Sequence, residues 1–341
     1  MKVAIHLNAN SFSDRWIKYC IDNNIKYKIV NAFDNDIIDQ IKDCDIFLWH
    51  HHHSKYKDVL VAKKILFALD HANIKVFPDI KTGWHFDDKV SQKYLLEAIK
   101  VPMVPSYVFY DKKEAKQWIK DRNFPIVFKL KGGAGSANVR LIKNEREAFR
   151  IIDKAFKDGF PQFDSFSNLK EKISKYKEGK VEFLTVLKAI VRLFITTEFS
   201  KKQAPERDYV YFQDFIPNLD SDIRIQVIGN KIFGLKRFVR ENDFRASGSG
   251  NFIEFNEENI DKEILKIAIE AKNKLQSQCL TLDFIYNKNQ PQIVELSYGF
   301  PTEFYDNCIG YWDEDLIWHK ANVSPQSWII ESLIGNEVLN D

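Results

Sequence analysis

Two acidic residues on adjacent predicted strands are the strongest indication of chemistry in this 341-residue chain. Leu282–Tyr286 and Gln292–Leu296 have the composition of the two arms of a hairpin. If the last residue of the first arm faces the first residue of the second, Asp283 lies directly opposite Glu295, and like charges so placed repel each other. Flanking apolar residues favour a Mg²⁺ ion, held together with substrate phosphates, as the compensating charge. The alternative is an edge hairpin with two solvated acids.

A glycine-rich segment follows another predicted strand. From Lys129 to Ser136 the sequence reads KLKGGAGS. Glycines allow backbone N–H groups to approach a phosphate closely, and a nest of such groups binds anions. A P-loop is excluded because no Gly-Lys-Ser/Thr follows and the next element has the pattern of a strand. A lysine, a glycine loop and a second strand are the arrangement of a flap over ATP phosphates, with a flexible hairpin turn as the alternative.

A second predicted hairpin carries arginines. Residues 222–228 alternate polar and apolar side chains, as a half-buried strand does, and Gly229-Asn230 is a suitable two-residue turn. This register places Asp222 opposite Arg237, with Arg224 on the same face. Guanidinium groups bind phosphate and carboxylate in a bidentate manner, so these arginines are candidates for an oxyanion clamp. A solvated sheet face with internal ion pairs is the alternative.

Four consecutive histidines, His50–His53, follow a predicted strand. Four neighbouring side chains on one loop cannot all point at one ion, so a metal site is disfavoured. We expect a solvent-exposed loop at the carboxyl end of a sheet, where a contact with substrate is one interpretation.

These candidate groups need a scaffold, and the hydrophobic pattern predicts an α/β fold. Short apolar runs alternate with helical patterns over roughly the first eighty residues, which is typical of a small open α/β sheet. Later come a helix over 87–99, two strands flanking the glycine loop and a helix over 145–156. Beyond the lysine-rich segment 158–208, several strands and a helix over 261–276 are predicted.

Composition excludes several classes of protein. Hydrophobic residues make up 45% and charged residues 29% of the chain, which is ordinary for a globular protein and excludes a disordered one. The net charge of +2 gives no global attraction to nucleic acid, so no nucleic-acid partner is expected. The four widely spaced cysteines favour a reducing compartment. With no transmembrane run and no secretion signal apparent, we expect a cytoplasmic protein.

Taken in order, these motifs resemble the ATP-grasp superfamily, and within it the ribosomal-protein glutamate ligases and the glutathione-synthetase-like enzymes. The resemblance covers residues 87–297 without the lysine-rich segment. It rests on the order of the following pieces: Asp88-Lys89, Pro125–Lys129 with the glycine loop, Gln213–Pro217, Asp222-Ile223-Arg224, Lys236-Arg237, Asp243-Phe244-Arg245, Asp283 and Glu295-Leu296-Ser297.

The resemblance implies a role for each matching position. Residues implied to contact or cover ATP phosphates are Lys89, Lys129, Gly132, Gly133, Gly135 and Ser136. Residues implied to contact adenine and ribose are Gln213, Asp214, Phe215, Ile216 and Asp222. Residues implied to bind phosphate or the acyl intermediate are Arg224, Arg237 and Arg245. Residues implied to hold Mg²⁺ are Asp283, Glu295 and Ser297, the last in place of the family's usual asparagine.

The implied activity is ATP-dependent ligation of a small-molecule acid to an amine, forming a C–N bond through an acyl phosphate. Two alternatives stay open at this point. One is a kinase that transfers phosphate to a hydroxyl, and the other is a catalytically degenerate nucleotide-binding protein, suggested by Ser297. The identity of the acid and of the amine is not encoded in any motif that we recognise.

The implied domain organisation has four parts. Residues 1–86 form an N-terminal α/β domain, and 87–157 form a small ATP-grasp subdomain with the glycine-rich flap. Residues 158–208 form a lysine-rich helical insertion, and 209–341 form the C-terminal subdomain with the metal site. The insertion carries an apolar stripe at helical spacing that must be buried somewhere. The stripe consists of Leu184, Leu187, Ile190, Val191 and Phe194. Its three candidate destinations are the body of the subunit, a second copy in a homo-oligomer, and a membrane surface.

Overall fold

A computed structural model describes residues 1–9, 11–132, 138–161, 181–194, 202–239, 252–258 and 260–335, with the single positions 169, 172, 173 and 176. The chain divides into two compact units. Unit 1 comprises Met1–Phe86, Ser91–Met103 and Asn218–Asp341, and unit 2 comprises Asp87–Val90 and Val104–Pro217. The four sequence divisions given above stay predictions.

The described strands and helices are numbered in chain order. The strands are Lys2–His6 (β1), Lys26–Val30 (β2), Ile46–Leu48 (β3), Lys75–Phe77 (β4), Ser106–Phe109 (β5), Ile126–Lys129 (β6), Val139–Ile142 (β7), Val210–Asp214 (β8), Ser221–Ile228 (β9), Lys231–Phe238 (β10), Phe252–Glu254 (β11), Cys279–Asn287 (β12), Gln290–Ser297 (β13), Gly310–Trp312 (β14) and Trp318–Lys320 (β15). The helices are Ser13–Asp22 (α1), Ile37–Ile41 (α2), Tyr56–His71 (α3), Ile80–Gly83 (α4), Lys89–Ala98 (α5), Lys112–Lys120 (α6), Glu145–Ala155 (α7), Phe183–Phe194 (α8), Lys262–Leu275 (α9) and Pro325–Ile334 (α10).

The N-terminal part of unit 1 is a parallel sheet with strand order β2-β1-β3-β4. Its central residues, among them Val3, Ile5 and Leu48, are fully buried, and helices α1 and α3 lie between the strands in sequence. The predicted small open α/β sheet is therefore confirmed, and so is the α/β fold class of the chain.

The rest of unit 1 is built on a seven-stranded sheet with order β13-β12-β9-β10-β14-β15, to which β11 is added beside β10. One face of its central strands is apolar: Ile225, Leu282 and Phe284 are fully buried in the core that includes helix α9. Because side chains alternate along a strand, the residues between them lie on the opposite face. That opposite face carries the candidate site.

Unit 2 contains an antiparallel sheet of order β5-β8-β6-β7 with helices α6 and α7. Phe128 and Phe212 lie opposite each other on β6 and β8 and are buried in its core. Asn144 caps helix α7: its side chain accepts a hydrogen bond from the backbone of Glu147 at 3.0 Å, and Glu147 in turn accepts from the backbone of Lys143 at 2.9 Å. This reciprocal cap explains why the helix begins there.

The two long hairpins of the seven-stranded sheet differ in their turns. The β9–β10 hairpin turns at Gly229 and has the predicted regular register, with Arg237 opposite Asp222. The β12–β13 hairpin turns at Lys288 and Asn289, both of which have positive φ as a two-residue hairpin turn requires. The sequence predicted a longer turn, and that prediction is wrong: both strands extend further toward the tip.

The shorter turn shifts the register near the tip by one residue. The structure pairs Tyr286 with Pro291 rather than with Gln292, which corrects the predicted tip. A β-bulge between Asp283 and Phe284 compensates for the shift. Asp283 therefore does lie opposite Glu295, as predicted, although the path to that pairing is different.

The predicted insertion contains helix α8, but the apolar stripe inferred from its spacing is not the buried one. Val186 and Ala189 are buried, at 6% and 2% exposure. Four stripe residues are exposed: Leu184, Leu187, Ile190 and Val191. Of the three candidate destinations, the body of the subunit is therefore not the one that these four side chains occupy. The side chain of Phe194 lies outside the described residues. No helix in the described ranges is long and apolar enough to cross a membrane.

The histidine loop is also different from its prediction. His50 and His51 are 5% and 3% exposed, so the first half of the loop is buried rather than solvent-exposed. The His50 ring stacks on Phe12 with 3.6 Å between the centroids, and its Nδ1 lies 2.9 Å from the hydroxyl of Ser11. The Tyr298 hydroxyl donates to the carbonyl of His51 at 3.1 Å. These contacts make the loop part of the core of unit 1.

Candidate functional site

Two aspartates and two arginines form a hydrogen-bonded network on one face of the seven-stranded sheet. Arg224 Nε donates to Asp283 Oδ1 at 2.7 Å and Arg224 Nη2 to Asp283 Oδ2 at 2.8 Å. Arg237 Nε and Nη2 donate to the two oxygens of Asp222 at 2.6 and 2.7 Å. Arg237 Nη2 also lies 2.9 Å from Asp283 Oδ2, which joins the two pairs. We call these four residues the ion quartet.

Strand pairing alone brings the ion quartet together. Asp283 on β12 is opposite Arg224 on β9, and Asp222 on β9 is opposite Arg237 on β10. Asp222 and Arg224 are two positions apart, so they share a face. Three adjacent strands therefore deliver four charges to one patch, and the predicted common face for Asp222, Arg224 and Arg237 is confirmed.

The ion quartet is charge-neutral and largely removed from water. The side chains of Arg237 and Asp283 are 6% and 12% exposed. Burial by itself raises the pKa of Asp283, but Arg224 and Arg237 outweigh burial and hold that pKa well below its usual range. Burial raises the pKa of Asp222 above its usual value, against the attraction of Arg237. Asp283 is therefore the carboxylate that stays ionised under all physiological conditions.

The donor set suits Mg²⁺ only in part. Asp283 and Glu295 are apposed oxygen donors, the ligand type that Mg²⁺ prefers. A carboxylate offers about four lone-pair directions, and the bonds from Arg224 and Arg237 use one on Oδ1 and two on Oδ2 of Asp283. Counting only the described residues, Oδ1 thus retains a direction for a cation. Within the described ranges no group of three or more His, Cys, Asp and Glu side chains is placed to hold a metal, so substrate oxygens would have to complete the coordination.

Ser297 lies at the end of β13, in the position that the resemblance assigns to a metal ligand. Its hydroxyl accepts from the backbone N–H of Gly299 at 3.0 Å and lies 3.2 Å from the Gly299 carbonyl. The hydroxyl thus closes a local turn. A metal at Ser297 would have to share the oxygen with this turn or displace it.

Unit 2 carries the predicted lysine of the glycine loop on the face of its sheet that is turned away from the apolar core. Lys129 is the last residue of β6 and is 5% exposed. Lys129 on β6 lies opposite Tyr211 on β8. Gln213 is two positions after Tyr211 on the same strand, so Lys129 and Gln213 lie on the same face of the sheet. Gln213 Nε2 donates to the hydroxyl of Ser106 at 3.0 Å. The structure therefore places two of the predicted nucleotide contacts together.

The other predicted nucleotide contacts of unit 2 differ in burial and in the face on which they lie. Asp214 alternates to the opposite face from Gln213, where burial raises its pKa and Arg122 lowers it. Phe215 and Ile216 follow the strand and are half-buried. Lys89 is 4% exposed at the start of α5, and its backbone N–H donates to the carbonyl of Lys131 at 3.0 Å. This bond fixes the start of α5 to the start of the glycine-rich segment.

An acid that the sequence did not single out holds the start of the glycine-rich segment. Glu206 accepts from the backbone N–H groups of Lys131 and Gly132 at 3.0 and 3.3 Å. The hydroxyl of Tyr209 donates to Glu206 and accepts from the Lys131 N–H at 2.7 Å. Beside these groups lies a cavity of about 460 Å³ whose lining includes Asp88. Four predicted site residues lie outside the described residues: Gly133, Gly135, Ser136 and Arg245.

Sequence reasoning also missed Tyr305. Its ring is 1% exposed and packs edge-on against Phe233 with 4.9 Å between the centroids. Phe233 shares a face of β10 with Arg237, four residues further along. No strand or motif surrounds Tyr305 in the sequence, so only the folded chain reveals that its ring packs on the strand that carries Arg237.

Comparison with known proteins agrees with this architecture. A model of the RimK-like ATP-grasp domain family matches residues 200–310, and a model of the carbamoyl-phosphate synthase L chain ATP-binding domain matches residues 88–189. The α-aminoadipate–LysW ligase LysX of Saccharolobus solfataricus is 21% identical over 83% of this chain and 86% of its own length.

Solved structures resemble the whole chain at low identity. A RimK domain ATP-grasp protein of Sphaerobacter thermophilus has a TM-score of 0.51 and 14% identity over 87% of this chain and 90% of its own. The biotin carboxylase domain dimer of the Hydrogenobacter thermophilus 2-oxoglutarate carboxylase, in complex with MgADP, has a TM-score of 0.57 and 15% identity over 98% of this chain and 70% of its own. At such identities the likeness establishes the fold.

Proposed function

We propose that this chain, which belongs to the ATP-grasp superfamily, is an ATP-dependent ligase that joins a carboxylate to an amine through an acyl phosphate. The observation that carries the proposal is the ion quartet with Glu295 beside it. Two arginines, a carboxylate that they hold in its ionised form and an apposed second carboxylate supply both cationic and anionic groups to one small patch. Phosphoryl transfer depends on this kind of positioning and charge neutralisation.

The reaction needs little covalent participation from the protein. The substrate carboxylate attacks the γ-phosphorus of ATP, the bond to the bridging oxygen breaks, and ADP leaves. The amine then attacks the acyl carbon, inorganic phosphate departs, and the amine loses a proton. Arg224 and Arg237 would stabilise the anionic oxygens in both steps, and Lys89 and Lys129 would neutralise the phosphates of ATP. Mg²⁺, held by Asp283, Glu295 and ATP itself, would supply further charge neutralisation.

The choice of a ligase over a kinase follows the named relatives. The curated relative is a ligase acting on α-aminoadipate, an acidic amino acid. We therefore place small dicarboxylic acids and amino acids first among the candidate acids, with the amine unassigned. A homo-oligomer is part of the proposal because a structural neighbour is described as a dimer. A cytoplasmic location, where ATP is abundant, completes it.

Phosphate release from ATP tests the proposal and separates it from its alternatives. The protein is incubated with MgATP and a panel of acids that includes α-aminoadipate and glutamate, with and without amines. A ligase releases phosphate when acid and amine are both present, and mass spectrometry detects an amide product. A kinase forms ADP and a phosphorylated product without free phosphate.

A specific observation supports a second candidate, the degenerate nucleotide-binding protein. Ser297 is engaged in a local turn, and Asp283 is engaged by two arginines. Both features weaken a metal site. This candidate predicts MgATP binding without ADP formation for every member of the panel, and such a result would replace the ligase proposal.

A further inference from the structure

The hydroxyl of Tyr305 is a buried polar group without a hydrogen-bond partner in the described part of the chain. A buried hydroxyl left unpaired costs roughly 1–3 kcal/mol of stability. Native proteins rarely retain that cost unless the group meets a ligand, a water or an ion. The Tyr305 hydroxyl is therefore a candidate to bind a group from outside the chain.

The position of Tyr305 is fixed on several sides. Its ring lies 4.9 Å from Phe233 and 5.5 Å from Phe300, centroid to centroid. The next residue, Asp306, is bound by both terminal nitrogens of Arg15 at 2.6 and 2.7 Å. The hydroxyl therefore cannot simply turn toward water, and its orientation is a property of the fold.

The surroundings of the hydroxyl are charged. Phe233, on which the ring packs, is on the same face of β10 as Arg237, and Leu235 between them is opposite Arg224. Burial raises the pKa of Tyr305, while Arg224, Asp283 and Arg237 all act electrostatically on the phenol. The phenol therefore stays protonated at physiological pH and is a hydrogen-bond donor.

The arginines beside Tyr305 have donors left over for a ligand. Each guanidinium has five N–H groups, and among the described residues the bonds to Asp283 and Asp222 use Nε and Nη2 of both arginines. Two such donors on one ligand oxygen favour an anionic oxygen, because charge-assisted hydrogen bonds are the stronger ones. A phosphoryl oxygen meets this requirement.

We propose that Tyr305 donates a hydrogen bond to an oxygen of the terminal phosphoryl group of ATP at the ion quartet. The inference rests on the proposed function, because it assumes that ATP binds at this face. It adds a specific contact that distinguishes the triphosphate from the diphosphate. Tyr305 is thereby a ligand-binding residue that determines which nucleotide state the site prefers.

The variant Tyr305→Phe tests the proposal because it removes one hydroxyl and little else. Titration calorimetry with MgATP and, separately, with MgADP measures the two affinities. We expect MgATP to bind on the order of 10- to 100-fold more weakly than to the unaltered protein, as the loss of a hydrogen bond to a charged group predicts. MgADP should bind within about twofold, because it lacks the phosphoryl group that the hydroxyl contacts.

Stability supplies the second readout. Removing an unpaired buried hydroxyl should leave the melting temperature of Tyr305→Phe unchanged or raised. Tyr298→Phe is the matched control, since the Tyr298 hydroxyl donates to the His51 carbonyl and its removal should lower the melting temperature. A weaker MgATP affinity with an undiminished melting temperature supports the proposal.

Three results overturn the proposal. An unchanged MgATP affinity means that the hydroxyl meets no phosphoryl oxygen. An equal loss of MgATP and MgADP affinity means that the Tyr305 hydroxyl does not contact the terminal phosphoryl group of ATP. A lowered melting temperature means that the hydroxyl has a structural partner. If the unaltered protein binds neither nucleotide, the proposed function itself fails, and that outcome is distinct from the other three.

Discussion

The seven-stranded sheet of unit 1 and the four-stranded sheet of unit 2 each carry charged or polar candidate residues on the face opposite one apolar core, here called the polar face. In unit 1 this face also carries the buried Phe233 and Leu235. The charges on the two polar faces differ. In unit 1 the polar face carries acids and arginines that neutralise one another, with Asp283 bound by both Arg224 and Arg237. In unit 2 the corresponding face carries Lys129 beside the amide of Gln213, with no acid on the described strands of that face.

This difference separates two ways of preparing a site for phosphate. Mutual neutralisation lets four charges be buried within one sheet, at the cost of tying the candidate metal ligand to arginines. A lysine on a strand brings a compact positive charge to the site face. We therefore expect substitutions in the ion quartet to change stability and activity together, and substitutions at Lys129 to change nucleotide affinity with little change in stability.

The largest effect is expected for Asp283→Asn. Turnover should be abolished, and the free energy of unfolding should fall by about 3–5 kcal/mol, because Arg224 and Arg237 would be left to share one carboxylate. From the sequence, where only repulsion from Glu295 is apparent, the same variant is expected to lose turnover with its fold intact, and the ion quartet changes the expected effect on stability. Phosphate release and urea denaturation measure the two effects.

Leu282→Ala is the control on the other face of the same strand. Its cavity should cost about 2–5 kcal/mol of stability while the affinity of the folded protein for MgATP is unchanged. If Asp283→Asn is as stable as the unaltered chain, the buried ion pairs do not contribute to the free energy of unfolding. The proposed difference between the two sheets would then be wrong. Near-normal turnover would remove Asp283 from the metal site.

Lys129→Ala should weaken MgATP binding by an order of magnitude or more, since charge-assisted hydrogen bonds contribute about 1.5–3 kcal/mol. The melting temperature should change little by comparison. A nucleotide titration by calorimetry checks the affinity, with Lys143→Ala, at an exposed position in unit 2, as the matched control. Equal affinities for both variants would show that Lys129 is not a phosphate contact.

Acid should destabilise unit 1 through its buried histidines. Burial lowers the pKa of His51 to about 3. Below about pH 6.5 the unfolded chain therefore binds a proton at His51 that the folded chain does not bind. As a result, the free energy of unfolding falls as the pH decreases from about 6.5 to about 3. Between pH 6.5 and 5 the loss is ~2 kcal/mol for one such imidazole.

His51→Phe should remove that share of the acid sensitivity. Nε2 of His51 has no hydrogen-bond partner within the described ranges, so the substitution sacrifices no side-chain bond there. Urea denaturation at pH 7 and pH 5 gives the slope, and His71→Phe, at an exposed position, is the control. An unchanged slope in His51→Phe would mean that His51 does not titrate in this way.

The smallest effect is expected for Leu187→Glu on α8. Leu187 is 41% exposed, so the free energy of unfolding should stay within about 0.5 kcal/mol of the unaltered value. Val186→Glu should destabilise strongly, because it buries a charge at a position that is 6% exposed. Light scattering decides the function of the stripe: a lower mass for Leu187→Glu would identify it as a contact between copies of the chain.

Local sequence determined much of this protein because the responsible rules act over short distances. Alternation along residues 222–228 and the turn at Gly229 fixed the β9–β10 register, and so the pairing of Asp222 with Arg237. The N-terminal α/β pattern and the helix over 262–275 were likewise predictable, since periodicity and an aspartate cap at Asp261 are both local. The order of the motifs then indicated the superfamily.

Tertiary structure decided what local rules cannot express. The bulge beside Asp283 arises where a two-residue turn must be reconciled with the pairing of long strands, so the register of β12 and β13 depended on both. The sequence predicted repulsion between Asp283 and Glu295, whereas in the structure Arg224 binds Asp283. This pairing was not predictable locally, because Arg224 comes from a strand more than fifty residues earlier. Glu206 and Tyr305 belong to no periodic pattern, and their positions follow only from long-range packing. Burial of His50 and His51 has the same origin, since a polar sequence is exposed by default until other elements cover it.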